Sequence, residues 1–293
     1  MSGVFEWSED QWNRVRQIVH DEALRARVAA SFLPLYGPLP SDTQSVPINV
    51  LGEQDVGSAP GMRLAVNDHE TMRLSTVSIN VYLKNAQIAD PELTSAIIMF
   101  RRAAAVMARV EDAIIFNGQA GVGQGPVDGL GASDMPPIYQ ISGGGPYKGL
   151  LDAGRPNGIA PTLDKGKGLG GQVFSAVVGA VQNLESAGYL GPFACVMGDI
   201  LFRAITTPLP NSMVLPRDSI LPFLDGPLLR SSAVPEDQAV VVSLSGAPVE
   251  IVVPDDIAVR YLQTTADAEH VFRIQQKFVL RIKEASAIST IQF

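Results

Sequence analysis

VFRIQQKFVLRIK, residues 271–283, alternates apolar and polar side chains with a period of two. The apolar even-numbered set faces one way and the polar odd-numbered set the other: Phe272, Ile274, Phe278, Leu280 and Ile282 against Arg273, Gln275, Lys277, Arg281 and Lys283. This pattern predicts a long, half-buried β-strand. A second apolar segment, 288–293, runs to the last residue, whereas chain ends usually fray unless a sheet or an assembly holds them. We therefore expect the chain to be built into a larger structure.

The composition is that of a folded chain with a large core. Its 293 residues are 46% hydrophobic and 18% charged, with a formal net charge of -8. This acidic balance argues against nucleic acid as the main partner, because phosphate binding requires a concentrated basic surface. The N-terminus lacks a signal-peptide pattern, and no stretch approaches the roughly 18 apolar residues needed to cross a bilayer. We expect a soluble, cytoplasmic protein with no membrane partner.

The sequence of residues 9–117 predicts two helices and one projecting arm. Capping-box spacing opens a helix over 9–32, and Asp90 is the expected N-cap of a longer helix over 91–117. Between the helices, short apolar runs over 46–83 predict a projecting hairpin with a polar tip at 67–70. An isolated two-stranded arm is marginally stable in water, so we expect it to lie on a neighbouring copy.

Glycine and proline are dense over 118–171, which is typical of a surface or functional excursion rather than of core. A helix over 172–187 and an apolar strand follow. The strand contains the single cysteine, Cys195, which we expect to behave as a small core residue rather than as a nucleophile.

No constellation of residues indicates catalysis, a cofactor or a metal. The histidines, His20, His69 and His270, lack metal-ligand spacing to another His or Cys. The pair Asp255-Asp256 could suggest acid-base carboxylates, but a turn that opens a strand over 257–261 is favoured. Catalytic groups can converge from distant positions, which leaves an enzyme possible. The pattern favours a structural protein.

Five blocks, in order along the chain, resemble the encapsulins, the linocin-type shell subunits of bacterial and archaeal nanocompartments. That family shares the fold of tailed-phage major capsid proteins. The resembling blocks are Glu9-Asp10-Gln11-Trp12, Tyr36-Gly37-Pro38, Glu111-Asp112-Ala113-Ile114-Ile115-Phe116-Asn117-Gly118, Gly188-Tyr189-Leu190-Gly191-Pro192-Phe193, and the tail from Asp255-Asp256 through Ala287-Ile288. Each block alone is weak, but their correct order over the whole chain is specific.

The resemblance implies an α+β capsid fold with three parts. These are a peripheral domain of 1–46, 77–119 and 255–293, an extended loop of 47–76, and an axial domain of 120–254 with a Gly-rich insertion at 123–171. The resemblance also implies a loop that lines a pore at the fivefold axis, comprising Pro208, Leu209, Pro210, Asn211, Ser212 and Met213.

The stretch expected to hold the targeting peptide of a cargo differs from that of many relatives. Theirs reads Gly-Arg-Arg-x-x-Asp, whereas this chain has the apolar sequence AASFLP at 29–34. The resemblance therefore implies that the polar clamp is missing here. Trp12, Phe32 and Leu33 are the apolar candidates for cargo docking.

The function implied by the resemblance is structural. Identical subunits would self-assemble into an icosahedral shell of 60 copies or a larger multiple. The shell would enclose a cargo enzyme such as a dye-decolourising peroxidase or a ferritin-like protein. Two alternatives are a viral or prophage major capsid protein that packages DNA, and a chain that is itself catalytic through a bound flavin. No flavin contacts are identifiable, so we predict no cofactor.

Overall fold

The computed structural model describes residues 7–55, 62–122, 138–161, 168–209 and 213–293. Its helices are α1 (Glu9–Ala26), α2 (Asn85–Ile88), α3 (Thr94–Asn117), α4 (Gln119–Val122), α5 (Leu150–Gly154), α6 (Leu169–Ser186), α7 (Asp199–Ile205) and α8 (Pro216–Leu224). Its strands are β1 (Leu35–Tyr36), β2 (Ser45–Pro47), β3 (Val50–Asp55), β4 (Met62–Asn67), β5 (Thr71–Arg73), β6 (Ser75–Lys84), β7 (Tyr139–Gly143), β8 (Phe193–Met197), β9 (Leu228–Arg230), β10 (Gln238–Ser243), β11 (Val249–Thr264), β12 (Glu269–Ile282) and β13 (Ile288–Gln292).

The strand predicted from the opening pattern is β12, at the centre of a five-stranded sheet ordered β1-β11-β12-β6-β7. Its even-numbered apolar side chains, from Phe272 to Leu280, are buried in the main core under α1 and α3. The odd-numbered positions of β6, from Val77 to Leu83, bury the same face. The period-two prediction is confirmed, because one face of this sheet packs on helices.

Arg281 departs from the predicted solvent-facing side of β12. It is buried, its Nε lies 2.6 Å from a carboxylate oxygen of Glu250, and its guanidinium lies 4.4 Å from the centre of the Tyr36 ring. The physical reason is a small second core on that face, formed by Val46, Met72, Leu74, Val252 and Val279. The buried charge of Arg281 is tolerated because the carboxylate of Glu250 pairs with it.

The final segment forms β13, in a second, four-stranded sheet ordered β13-β10-β8-β9. Ile288–Gln292 pairs antiparallel with β10. The last strand of the predicted peripheral segment 255–293 thus pairs with a strand of the predicted axial segment 120–254. Strand β10 is buried on both faces, by α3 and α5 on one side and by α6, α7 and α8 on the other. Strand β13, which pairs with the edge of β10, therefore completes the cores on both faces of this sheet.

The Gly-rich region is predicted to lie outside the core. This prediction is wrong for the described part of the region. Strand β7 is an outer strand of the five-stranded sheet, and Leu150 and Leu151 of α5 are buried. Tyr139–Gly143, which is predicted to belong to the axial domain, thus pairs with β6 of the predicted peripheral domain. Only two residues of β7, Tyr139 and Ile141, are buried, which is too short an alternation for a sequence-based prediction.

The arm is an antiparallel pair, β3 with β4, whose register runs from Val50 opposite Asn67 to Asp55 opposite Met62. The predicted polar tip at 67–70 therefore lies at the base of this pair, where the chain turns into β5. Polar turn residues mark any reversal of the chain, so their presence does not identify which end of the arm they occupy.

Candidate functional site

Helix α1 ends six residues earlier than predicted, and a buried ion pair accounts for the difference. Its capping box of Ser8 and Gln11 is confirmed, but the last helical residue is Ala26. Arg27 then adopts an extended conformation and directs its side chain inward. Its Nε lies 2.7 Å from Oε2 of Glu111, whose side chain is only 1% exposed.

Asp256 of β11, whose side chain is 45% exposed, extends this buried pair towards the surface. One of its carboxylate oxygens accepts a hydrogen bond of 2.9 Å from the Arg27 guanidinium, and the other lies 3.6 Å from Nδ1 of His20. Asp255 lies 3.4 Å from Arg260. Both aspartates lie within β11, at irregularities in its register with β12, and the predicted turn is wrong. Bulges re-aim side chains, and here they turn Asp256 towards α1.

Asp112 holds the backbone that follows α1. Its carboxylate accepts hydrogen bonds from the N–H groups of Val28, at 2.9 Å, and Ala29, at 2.8 Å. These contacts satisfy backbone donors that a continuing helix would have used, which fixes the end of α1. Burial raises the pKa of Asp112 to about 7, against the opposing effect of these N–H donors. Glu111, also buried, has a raised pKa for the same reason of desolvation. The Glu-Asp pair of the sequence block thus joins α3 to α1.

Acidification should stabilise the subunit through Asp112. Between about pH 4 and pH 7 the folded chain holds a proton on Asp112 that the unfolded chain releases, so stability falls as pH rises through this window. Asp112→Asn should lose this slope, whose upper limit is about 4 kcal/mol. Urea unfolding of dissociated subunits at about pH 5 and about pH 8 measures it. Equal slopes for both proteins would contradict the assignment, and Asp42→Asn at an exposed site is the control.

The predicted docking side chains are not on the surface as a group. Phe32 is 9% and Leu33 is 3% exposed, and both belong to the main core. Trp12 is half-buried in the first turn of α1, where its ring centre lies 5.1 Å from that of Trp7 and 6.0 Å from that of Phe272. Helix α1 is about 27 Å long, which separates Trp12 from the other two residues.

The exposed apolar side chains of this region come two positions later, on β1. Leu35 is 55% and Tyr36 is 46% exposed. Strand β1 pairs parallel with β11 through Leu35 opposite Ile251, and within the described parts of the chain its outer edge has no partner strand. Sequence reasoning missed these residues. The available signal was the block at Tyr36, which indicates the family but not a strand.

Gly37 fixes the path of the chain just after this edge. A side-chain Cβ there would lie 2.3 Å from the carbonyl oxygen of Val253, so any other residue would force the two backbones apart. Glycine is the residue that permits such close approach. The Tyr-Gly-Pro block therefore holds β1 against β11.

The predicted pore loop lies between α7 and α8. Met213 is fully exposed, Pro208 is exposed and Leu209 is half-buried. Pro210, Asn211 and Ser212 lie outside the described residues. Together with exposed Val214, Met213 makes an apolar surface at this end of the molecule.

Two remaining predictions concern chemistry, at the cysteine and at a metal site. Cys195 is fully buried in β8, and desolvation raises the pKa of its thiol to about 12, which removes it as a nucleophile at neutral pH. In the part of the chain that the structure describes, no three His, Cys, Asp or Glu side chains cluster as metal ligands. In the same part, no helix is long and apolar enough to cross a membrane.

Comparison with known proteins supports a shell role. The Linocin_M18 family model, described as encapsulating protein for peroxidase, matches residues 4–142 and 138–279. The type 1 encapsulin shell protein EncA of Myxococcus xanthus is 26% identical over 97% of this chain and 93% of its own length. A diheme-cytochrome-encapsulin shell fusion protein of Kuenenia stuttgartiensis is 25% identical over 100% of this chain and 75% of its own.

Solved structures agree on the fold. The virus-like particle of Pyrococcus furiosus superposes with a TM-score of 0.65 at 13% identity, covering 97% of this chain and 100% of that one. The capsid of the myovirus XM1 superposes with a TM-score of 0.58 at 11% identity, covering 90% of each chain. With a family model that matches most of its length, this chain belongs to the Linocin_M18 family and is an encapsulin shell protein with the fold of tailed-phage major capsid proteins.

Proposed function

We propose that identical copies of this chain close into an icosahedral shell, of 60 copies or a larger multiple, that encloses a cargo enzyme in the cytoplasm. The family match over most of the chain is the single observation that carries this proposal. Exposed apolar side chains support it, because Met213 and Val214 leave adjacent apolar surface in water on a subunit that stays alone. Symmetric closure would cover such surfaces around each axis.

The chain acts, on this proposal, as a container without a catalytic site of its own. Its buried charges are used in packing: Arg27 pairs with Glu111 and Asp256, and Arg281 with Glu250. A dye-decolourising peroxidase or a ferritin-like protein is the expected class of cargo. The name of one relative pairs a shell with a diheme cytochrome, which makes a redox protein a third class.

Cargo docking is proposed at the free edge of β1. An extended targeting peptide can add a strand there and cover Leu35 and Tyr36, while Phe32 and Leu33 support the edge from inside the core. This site needs no polar clamp, which agrees with the apolar sequence at 29–34. Trp12 then contributes to the packing of α1 and not to docking.

The assembly is tested with the purified chain. Size exclusion and negative-stain microscopy should show a hollow particle of megadalton mass. A stable monomer or dimer at micromolar concentration would contradict the proposal. Nucleic acid that survives nuclease treatment, seen as excess absorbance at 260 nm, would favour the DNA-packaging capsid instead. A flavin absorption band in the purified particle would favour the catalytic alternative.

Leu35→Asp should lower cargo loading about ten-fold, because the peptide would lose the burial of one leucine side chain. The measurement is mass spectrometry of the protein that co-purifies with the native shell, expressed per shell subunit. Leu190→Asp, at a similarly exposed leucine far from β1 in sequence, is the matched control. Equal loading of the Leu35→Asp shell would exclude docking at this edge.

A further inference from the structure

Residues 27–34 form a connector between α1 and the strand β1, whose edge carries the proposed cargo site. Within the connector, a short 3₁₀ helix is followed by Phe32 and Leu33, whose side chains are buried in the main core. The carbonyl of Pro34 accepts a hydrogen bond of 2.9 Å from the N–H of Ile251, where β1 begins to pair with β11. A displacement of the connector therefore also displaces β1.

Asp112 of α3 holds the start of this connector but has no cation of its own. Asp112 is 3% exposed, and its carboxylate accepts hydrogen bonds from two backbone N–H groups of the connector. Among the described residues no cation pairs with it, and the guanidinium of Arg27 pairs with Glu111 and Asp256 instead. A buried carboxylate that contacts only neutral donors favours its protonated form.

The charged groups around Asp112 add to this preference. Those that face it or its neighbour on α3 come from three elements: Glu111 of α3, Arg27 at the end of α1, Asp256 of β11, and His20 of α1 beside Asp256. On the side of β12, the neutral amide of Gln276 contacts Glu111. Glu111, Asp112 and Asp256, the carboxylate cluster, thus share one guanidinium and a histidine whose side chain is 48% exposed. This excess of negative charge favours the uptake of a proton.

The protonation of Asp112 depends on whether the connector is closed over it. Burial raises the pKa of Asp112 to about 7, although the N–H donors of the connector oppose this rise. An aspartate in water has a pKa of about 3.9, and Asp112 returns to that state when the connector moves away and water enters. The closed connector therefore binds the proton more tightly than the open one. The stability that the proton adds to the closed form is complete below about pH 4 and is lost as the pH rises through about 7.

We propose that the connector is a proton-dependent switch, in which a proton on the carboxylate cluster keeps the connector and β1 in place and loss of that proton lets them open. The effect on cargo rests on the proposed docking at β1, because a peptide can add a strand only to an edge that stays in position. The subunit then holds its cargo more firmly at mildly acidic than at mildly alkaline pH. Asp112 is a positioning residue, since it acts through the backbone of the connector.

Hydrogen exchange of the purified shell without cargo, followed by mass spectrometry, tests the switch itself. After correction for the intrinsic exchange rate, the amides of Val28 and Ala29 should be protected at least about ten-fold more at about pH 5.5 than at about pH 8. Asp112→Asn should remove this difference, because its side chain keeps an oxygen acceptor but does not titrate. Asp42→Asn, at an exposed aspartate, is the control and should keep the difference.

The amides of β10 are the internal reference for this measurement. This strand is buried and is paired on both edges, so its amides exchange only through a larger opening of the subunit. Connector amides that exchange as slowly as those of β10 at both pH values would show that the connector does not open by itself, and would overturn the proposal. Protection that does not change with pH would also overturn it, as would a pH dependence that persists in Asp112→Asn.

Shells purified with their native cargo separate the switch from the docking site. A docked peptide should add protection to the amides of β1 relative to the empty shell, and more at about pH 5.5 than at about pH 8. In Asp112→Asn the added protection should be the same at both values. Added protection that does not depend on pH in the unmodified chain would overturn the coupling of the switch to cargo. Absence of added protection at both values would contradict the docking at β1, whereas the exchange of the empty shell would still decide the switch.

Discussion

Deletion of Ser289–Phe293 should abolish the shell, because it removes β13 and opens two cores. The segment pairs with β10 on one side, and on the other the N–H of Ile159 donates to the Thr290 carbonyl at 2.7 Å. Ile291 is completely buried among α6, β8 and β10. Loss of one such side chain costs about 2–5 kcal/mol before any hydrogen bond is counted, against a typical total stability of about 5–15 kcal/mol.

Paired point variants distinguish this effect from a general intolerance of the C-terminus. Ile291→Asp buries an unpaired charge and should give insoluble or unassembled chain, whereas Gln292→Asp lies on the exposed side of the same strand and should assemble normally. Sedimentation and negative-stain microscopy report assembly, and circular dichroism reports folding. Intact particles from the deleted chain would show that β13 is dispensable.

Arg27→Met should cost about 3–5 kcal/mol of unfolding free energy, because it leaves Glu111 buried without its cation. The double variant Arg27→Met/Glu111→Leu should recover most of this loss, since an apolar pair can replace a buried ion pair. Lower pH should partly rescue the single variant, because protonation of Glu111 removes the unpaired charge. Chemical denaturation of dissociated subunits measures all three effects.

The matched control is Arg25→Met on the same helix. Arg25 pairs with Glu22 at 2.6 Å, but its side chain is 75% exposed, and exposed pairs contribute about 0.2–1 kcal/mol. Similar losses from Arg25→Met and Arg27→Met would contradict a special role for the buried cluster. A double variant less stable than the single Arg27→Met would contradict the reason given for it.

Much of the fold is predictable because its signals are local. The period of two in β12, the capping box of α1 and the apolar spacing of α3 each depend on neighbours within a few residues. The predicted start of α3 is Pro91, whereas the helix starts at Thr94, because the Asp90 carboxylate accepts from the N–H groups of Glu92 and Thr94 and holds a turn before the helix. Such shifts of a helix boundary depend on which backbone N–H groups a nearby side chain can reach.

The candidate site is less predictable, since exposure is not a property of residue type. Apolar character alone points to Phe32 and Leu33 as docking residues, yet they are buried, and the exposed residues are Leu35 and Tyr36.

Periodicity, caps and chain-reversing residues within short windows of sequence were sufficient to predict individual helices and strands. The resemblance of five ordered blocks to the encapsulins was sufficient to indicate the capsid fold and the shell family. Tertiary contacts decided the rest. The sheet that receives β13, the burial of Arg27 with Glu111, and the exposure of Leu35 and Tyr36 on β1 all depend on residues far apart in the chain. The free energies of strand pairing and of burial depend on both of the surfaces that come into contact. A short window of sequence contains only one of those surfaces.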